Sequence, residues 1–426
     1  MKRSFAGRSL KVFYGWWIVV IAALGLSVGY GPIIVYTFSV FFKPVSEEFN
    51  WGRSETSLVF SLSLIAMVLA MPFIGRFVDR FGARKVILTS ALIFGLSLIS
   101  FYIVSLGSSQ FYAVYITIGL IGAGMTPLSY NRVLSHWFDK RRGLALGLAT
   151  IGIGISTFIM PLVAHYLIVS FGWRAAYLLL GVLVMVVTVP VVGLFLKETP
   201  QSMGLLPDGA RNAEALNGIR TTNPGGIGIQ EALRSSSFWL MCCAFFLVSA
   251  SINGCLIHLV PMLTDRNVSP ATAAMAASFL GGATLIGRVG TGYLLDRFFA
   301  SHLATWFFGG ACVGIALLWS GGRGLLAVIG AVLLGLGNGA ETDIMAYQMS
   351  RYFGLRAFAE IYSYILAAYT LGGVMGTLLM GISFDATGSY NLILMIFIIA
   401  ILVSMGLLLR LGPYRSWEGT AESVVV

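Results

Sequence analysis

Gly75-Arg76-Phe77-Val78-Asp79-Arg80-Phe81-Gly82-Ala83-Arg84-Lys85 is partly repeated, 217 residues later, as Gly292-Tyr293-Leu294-Leu295-Asp296-Arg297-Phe298. Each copy follows a long apolar run. A second pair, Ser135-His136-Trp137-Phe138 and Ser350-Arg351-Tyr352-Phe353, recurs at an offset of 215 and again follows corresponding runs. Two matches at nearly one offset, in a chain of 426 residues, indicate a duplicated unit of roughly half that length.

Composition says what the unit is made of. The chain is 58% hydrophobic and only 10% charged, with a mean hydropathy of +0.88. A soluble globular domain, in which about a quarter of residues are charged, is excluded. Such a chain must face lipid, and a hydrocarbon core of about 30 Å takes roughly 20 helical residues to cross. Apolar runs bounded by Gly, Pro or charge fall at 14–40, 54–74, 86–106, 111–134, 143–168, 175–196, 237–262, 271–295, 303–319, 324–349, 359–384 and 392–411. They are too long and too uniformly apolar for barrel strands, which leaves helices. The run after Lys11 is too long for a cleavable signal peptide and has no small-residue cleavage site.

The cations test this count through the positive-inside rule. With both termini cytoplasmic, 21 of the 27 Lys and Arg residues lie on the inner side, 5 lie outside and Arg288 alone sits within a span. The expected architecture is therefore an all-α membrane protein of twelve spans in two pseudo-symmetric six-helix bundles. The bundles are residues 1–196 and 237–411, with a cytoplasmic linker at 197–236 and a cytoplasmic tail at 412–426. A duplicated bundle of this kind is the architecture of secondary transporters, with the substrate site near the midplane between the halves.

The net charge of +10 comes from dispersed residues, so no nucleic-acid partner is expected. Cys242, Cys243, Cys255 and Cys312 all lie in apolar runs and read as small core residues. The soluble segments hold no catalytic triad, metal-spaced His/Cys cluster or phosphate-binding loop, which argues against an enzyme and against a metal or cofactor.

The segment Gly75–Lys85 resembles the loop motif that follows span two in the major facilitator superfamily. Trp137-Phe138-Asp139-Lys140-Arg141-Arg142-Gly143-Leu144-Ala145-Leu146-Gly147-Leu148-Ala149-Thr150-Ile151-Gly152 is similar to the monocarboxylate transporter pattern that enters span five, departing only at Trp137 and Ile151. Tyr14-Gly15-Trp16 resembles part of the second family pattern, without its acidic residue. The resemblance spans the chain and implies the branch of monocarboxylate and oxalate–formate carriers, with bacterial lactate transporters nearest. It places the protein in the bacterial inner membrane, as a monomer in lipid. Gly143, Gly147, Gly152 and Gly154 keep one helix face small for close packing.

Charges inside spans are costly and mark function. Arg288 lies eight residues before the loop Asp296, on the order of 12 Å from the surface and beyond comfortable snorkelling. A guanidinium stays protonated and grips a carboxylate with two parallel hydrogen bonds. The resemblance aligns Arg288 with the arginine that binds substrate carboxylate. It also places Tyr369 where dicarboxylate-binding relatives carry a lysine, and Tyr36 where animal relatives carry one. One fixed cation plus phenolic donors implies a small monoanion such as lactate or pyruvate rather than oxalate. Asn253 is a further candidate donor to substrate, with packing as the alternative.

Glu341 and Asp343 lie in span ten at a depth like that of Arg288; two residues apart, they point to different sides, so one is expected to face the cavity. A carboxylate that loses its arginine to substrate takes a proton, which would couple anion to H+. The family's usual acid, four residues before the arginine, is Thr284 here, so that role moves to Glu341 or Asp343. His258 and Asp265 share a helical face near the outer end of span seven unless Pro261 ends it, and are candidates for relaying protons there. Asp79 can cap a neighbouring helix while Arg80 and Arg84 bind acidic partners, latching one face shut, and Asp296 with Arg297 repeats the pattern. The leading expectation is proton-coupled secondary transport of a small monocarboxylate by alternating access. An organic-anion exchanger, an exporter of larger carboxylates, and a nutrient sensor remain as alternatives.

Overall fold

The computed structural model describes residues 13–103, 108–209, 225–321 and 324–414. Lys2, Arg3, Arg8, Lys11, Arg211, Arg220, Arg323 and Arg415, which entered the charge count, lie outside the described residues, as do parts of the linker and tail.

Helices account for nearly all of what is described. Span one is discontinuous: Tyr14–Ser27, a π-helical turn Gly31–Val35, then Phe38–Phe49. Spans two and three are Arg53–Phe81 and Ala83–Ile103. Span four is also broken, as Ser108–Gly122, a 3-10 turn Ala123–Met125, and Pro127–Trp137. Spans seven to twelve are Ser236–Asp265, Pro270–Leu295, Ala300–Trp319, Leu325–Phe353, Phe358–Thr387 and Asn391–Leu409.

Spans five and six run together as one helical segment, Arg142–Phe195, of 54 residues. At 1.5 Å per residue that would reach about 80 Å, far more than one bilayer. Gly172 resolves the conflict: φ 80° and ψ 161° reverse the chain there, a conformation open to glycine for want of a Cβ. With that break, the eleven long apolar helical segments make twelve crossings.

The antiparallel arrangement is visible in contacts at the two ends. Tyr14 Oη donates to Phe195 O at 2.8 Å, which puts the start of span one beside the end of span six. At the other end, Glu48 meets Trp173 and Arg174, joining the end of span one to the start of span six. Linker residues mark the first of these faces. Asp208 accepts from the backbone N–H groups of Asp139 and Lys140 between spans four and five. Gly226 bridges to Gly354, just past span ten. This end is called the linker face below.

The two breaks in the N-terminal bundle pack on one another. A Cβ on Gly29 would stand 2.6 Å from Met125 O, and Tyr30 fills the space that Gly122 leaves. Irregular backbone inside a membrane is tolerated where it is buried in protein. Large apolar side chains such as Leu69, Leu162, Val169 and Ile286 point outward, as lipid-facing helices require. Of the four cysteines, all unpaired, Cys242 and Cys255 are buried, Cys312 is half-buried and Cys243 is exposed.

Candidate functional site

Glycines set the position of the central charges. On span eight, Gly287 lies against Leu336 O of span ten, where an added Cβ would approach to 2.6 Å. Gly335 and Gly339 return the contact, against Leu280 O and Thr284 O respectively. Small residues at intervals of about one turn let these backbones touch. Gly147 of span five meets the same stretch from the opposite half: its Cβ would stand 2.5 Å from Arg288 O. Arg288 is thus held where spans five, eight and ten converge.

Two buried carboxylates flank it. Glu341 and Asp343 are both within reach of the Arg288 charge and essentially inaccessible to solvent. As their spacing of two residues predicts, the two acids point to different sides of span ten. Glu341 points toward Tyr369 of span eleven, and Tyr369 stands between that carboxyl and the Asn253 amide of span seven. Asp343 turns toward span five, where its Oδ1 lies 3.4 Å from Thr150 Oγ1. Tyr362 of span eleven also faces Asp343, and Asn131 of span four donates to its hydroxyl at 3.4 Å.

The polar groups here are conspicuously under-used. Among the described residues, Arg288 makes no ion pair within 4.0 Å. Its Nη1 reaches Thr342 Oγ1 only at 3.5 Å, and its buried Nε has no partner. Both oxygens of Glu341 and Oδ2 of Asp343 also lack hydrogen-bond partners. Buried polar atoms are nearly always bonded, so such a cluster needs a functional explanation. The arrangement offers a permanent cation with free N–H groups, amide and phenol donors, and acids able to hold a proton.

Other expected site residues lie elsewhere. Tyr36 ends the π-helical turn of span one, and among the described residues its side chain makes no polar contact with Arg288. Span seven continues through Pro261 to Asp265. His258 and Asp265 meet at Tyr390, the ring centroids of His258 and Tyr390 being 6.1 Å apart and the Tyr390 hydroxyl 3.4 Å from Asp265 Oδ2. His258 Nε2 bonds Thr377 O at 3.2 Å. This trio sits at the far end of span seven, several turns from Arg288 for Asp265 and more than one turn beyond Asn253 for His258.

At the linker face the two repeated acids do parallel work. Asp79 accepts from the backbone N–H groups of Ala359 and Glu360 at 3.3 and 2.8 Å, capping span eleven. Asp296 accepts from Gly143 and Leu144 at 2.7 and 3.1 Å, capping span five. Burial raises the Asp296 carboxyl above its ordinary range, against the pull of those two N–H groups and of Arg351. Their cationic neighbours behave differently. Arg80 and Arg297 lie over Phe81 and Tyr293 of their own helices, and Arg84 donates to Gly193 O within its own half. Among the described residues, none of these three bridges the halves through an acid.

Cations outside the expected set do so. Arg76 pairs with Glu360 at 2.8 Å and Arg351 with Asp139 at 2.9 Å, both across the halves. Arg132 binds Asp79 within the N-terminal half and Glu198 at the start of the linker. Arg142 is buried and donates to Ser350 Oγ at 2.9 Å and Ser135 O at 3.2 Å. Those serines are the first residues of the repeated tetrapeptides, a signal that would have singled out Arg142. No such signal marks Glu198, Glu360 or Thr150.

A model of the Major Facilitator Superfamily matches residues 15–377, and the chain belongs to that superfamily, a family of transporters rather than enzymes. Within it, the chain is similar to proteins named monocarboxylate transporters. It is 25% identical to monocarboxylate transporter 13 of Bos taurus over 410 residues, covering 94% of this chain and 90% of that protein. It is 24% identical to monocarboxylate transporter 2 of Homo sapiens over 407 residues, covering 88% and 81% respectively. The proton:xylose symporter XylE shares the fold with a TM-score of 0.75 at 15% identity, over 94% of this chain and 96% of that one. The fucose transporter FucP in its outward conformation gives 0.69 at 13% identity, over 92% and 97%.

Proposed function

We propose that this transporter carries a small organic monoanion of the lactate or pyruvate type together with a proton, by alternating access. The linker face is cytoplasmic on the positive-inside pattern, the membrane is a bacterial inner membrane, and the working unit is a monomer. The carrying observation is Arg288: a half-buried guanidinium whose Nε lacks a partner among the described residues, beside Glu341, neither of whose oxygens is bonded, and Asp343, which keeps one oxygen free. A carboxylate entering from the open side forms two charge-assisted bonds to the fork. Asn253 and Tyr369 donate to its remaining oxygens, and Tyr369 limits length. While the carboxylate holds Arg288, a neighbouring acid that has lost this counter-charge holds a proton, so that anion and proton cross as a neutral pair.

Inter-half hydrogen bonds and ion pairs among the described residues cluster at the linker face, from Arg76–Glu360 inward to Thr150–Asp343. This geometry supports a state closed toward the cytoplasm. Asp79 and Asp296, with the cross-half pairs, hold it; Gly143 against Gly292 O and Gly75 against Ala359 O give the close backbone contact it needs. Counterflow of labelled lactate in proteoliposomes, run at two pH values with a panel of competing mono- and dicarboxylates, tests the reading. Absence of counterflow, or equal competition by oxalate, overturns it.

A further inference from the structure

Thr150 has more to bond than it has protons. Its Oγ1 lies 3.0 Å from Gly147 O, 3.3 Å from Leu146 O and 3.4 Å from Asp343 Oδ1. A hydroxyl carries one proton and two lone pairs. The shortest of the three contacts, to a carbonyl of its own helix, takes that proton, as buried threonines in helices commonly do. What Thr150 then presents to Asp343 is a lone pair. Two acceptors facing one another repel if the carboxyl is ionised; they bond if the carboxyl carries a proton.

We infer that protonated Asp343 donates to Thr150 across the two halves, so that closure of the linker face is itself proton-dependent. This rests on the transport reading above and singles out Asp343 from Glu341. The groups around Asp343 are Thr150 of span five, Arg288 of span eight, Tyr362 of span eleven and Glu341 of its own helix. Thr150 alone of these belongs to the N-terminal half. The contact lies two turns deeper than the Asp296 cap on span five, on the order of 10 Å toward the membrane centre. Glu341 makes no bond to the other half, since both its oxygens lack partners.

The proton balance is simple. A proton from the far side binds Asp343 and closes the chain from Asp343 O–H to Thr150 to Gly147 O. The carrier waits, shut toward the linker side, until a carboxylate engages Arg288. As the linker face opens, Thr150 withdraws and Asp343 loses its acceptor. When the anion leaves, the freed guanidinium draws Asp343 to its ionised form, and the proton exits on the linker side.

The test uses the full chain in proteoliposomes, with Leu295→Cys in a background without other cysteines. Leu295 is buried against Gly143 at the span five–eight contact, and its labelling by a water-soluble maleimide reports linker-face opening without substrate. Taken relative to the same thiol in the unfolded chain at each pH, which removes the titration of the thiol itself, labelling is expected to accelerate about fivefold or more as pH rises, the population change that one lost hydrogen bond produces. Thr150→Val removes the lone pair at constant volume and is expected to abolish that pH dependence, while Thr150→Ser keeps it. Asp343→Asn is expected to label independently of pH. In Thr150→Val, the pH profile of net lactate uptake moves by about one unit toward acid while counterflow persists. A wild-type pH profile of labelling in Thr150→Val, or equal loss in Thr150→Val and Thr150→Ser, overturns the inference. Failure of lactate counterflow in the unsubstituted carrier would overturn the transport reading instead, and the labelling would still decide the role of Thr150.

Discussion

Asp79 and Asp296 each accept the first backbone N–H groups of a helix that belongs to the opposite half. They sit at equivalent places in the repeat, and so do Gly75 and Gly292, which let the same helices approach four residues earlier. One device is used twice: a glycine for contact, then a carboxylate for the exposed helix dipole. Its two copies make the linker-face closure symmetric about the bundle interface.

Neutralising these acids weakens that closure. Asp79→Asn and Asp296→Asn each retain one acceptor oxygen, so each loses part of a charge-assisted cap. Turnover is expected to fall about tenfold in each and further in the pair, with substrate affinity from the far side within about twofold. Paired measurement of binding and transport rate decides this.

Arg288→Lys keeps the charge and removes the fork. Uptake is expected to drop at least about a hundredfold while thermal unfolding and elution on gel filtration stay as in the parent, since an ammonium cannot grip a carboxylate at two points. Unimpaired uptake would show that Arg288 does not bind substrate.

Converting the specificity to dicarboxylates takes two changes, not one. Tyr369→Lys alone places its ammonium beside Glu341, which pairs with it and cancels the added charge. Oxalate is therefore expected to compete poorly in the single variant and strongly in Tyr369→Lys with Glu341→Gln. Competition assays on both variants check this.

At the far end, Glu48 ties span one to span six. Its carboxyl is pushed up by partial burial, but hydrogen bonds from Arg174 and Trp173 outweigh this and hold it below its ordinary range. Stability from this group is present above the ordinary carboxylate pKa and is lost as pH falls through the lowered one. Glu48→Gln should lower Tm by about 1–3 °C at neutral pH, a small figure because the pair is partly exposed. The difference should vanish in acid.

Span number and the duplicated bundle were legible in the chain, because each follows from local composition or from a repeat at fixed offset. The breaks in spans one and four were not. Pro32 and Pro127 hint at them, but the irregular turns persist only because Gly29 and Gly122 let the two spans pack together. Likewise, spacing of two residues suggested that Glu341 and Asp343 face different ways, yet nothing local said that both would border Arg288.

Hydropathy and repetition act along the chain, so they settle how often it crosses the bilayer and where its costly charges lie. Which acid meets Tyr369, which meets Thr150, and which cations bridge the halves depend on residues brought together from distant spans. Those pairings arise from glycine-mediated contacts between helices. A single strand of sequence carries no trace of the partner face that such a contact requires.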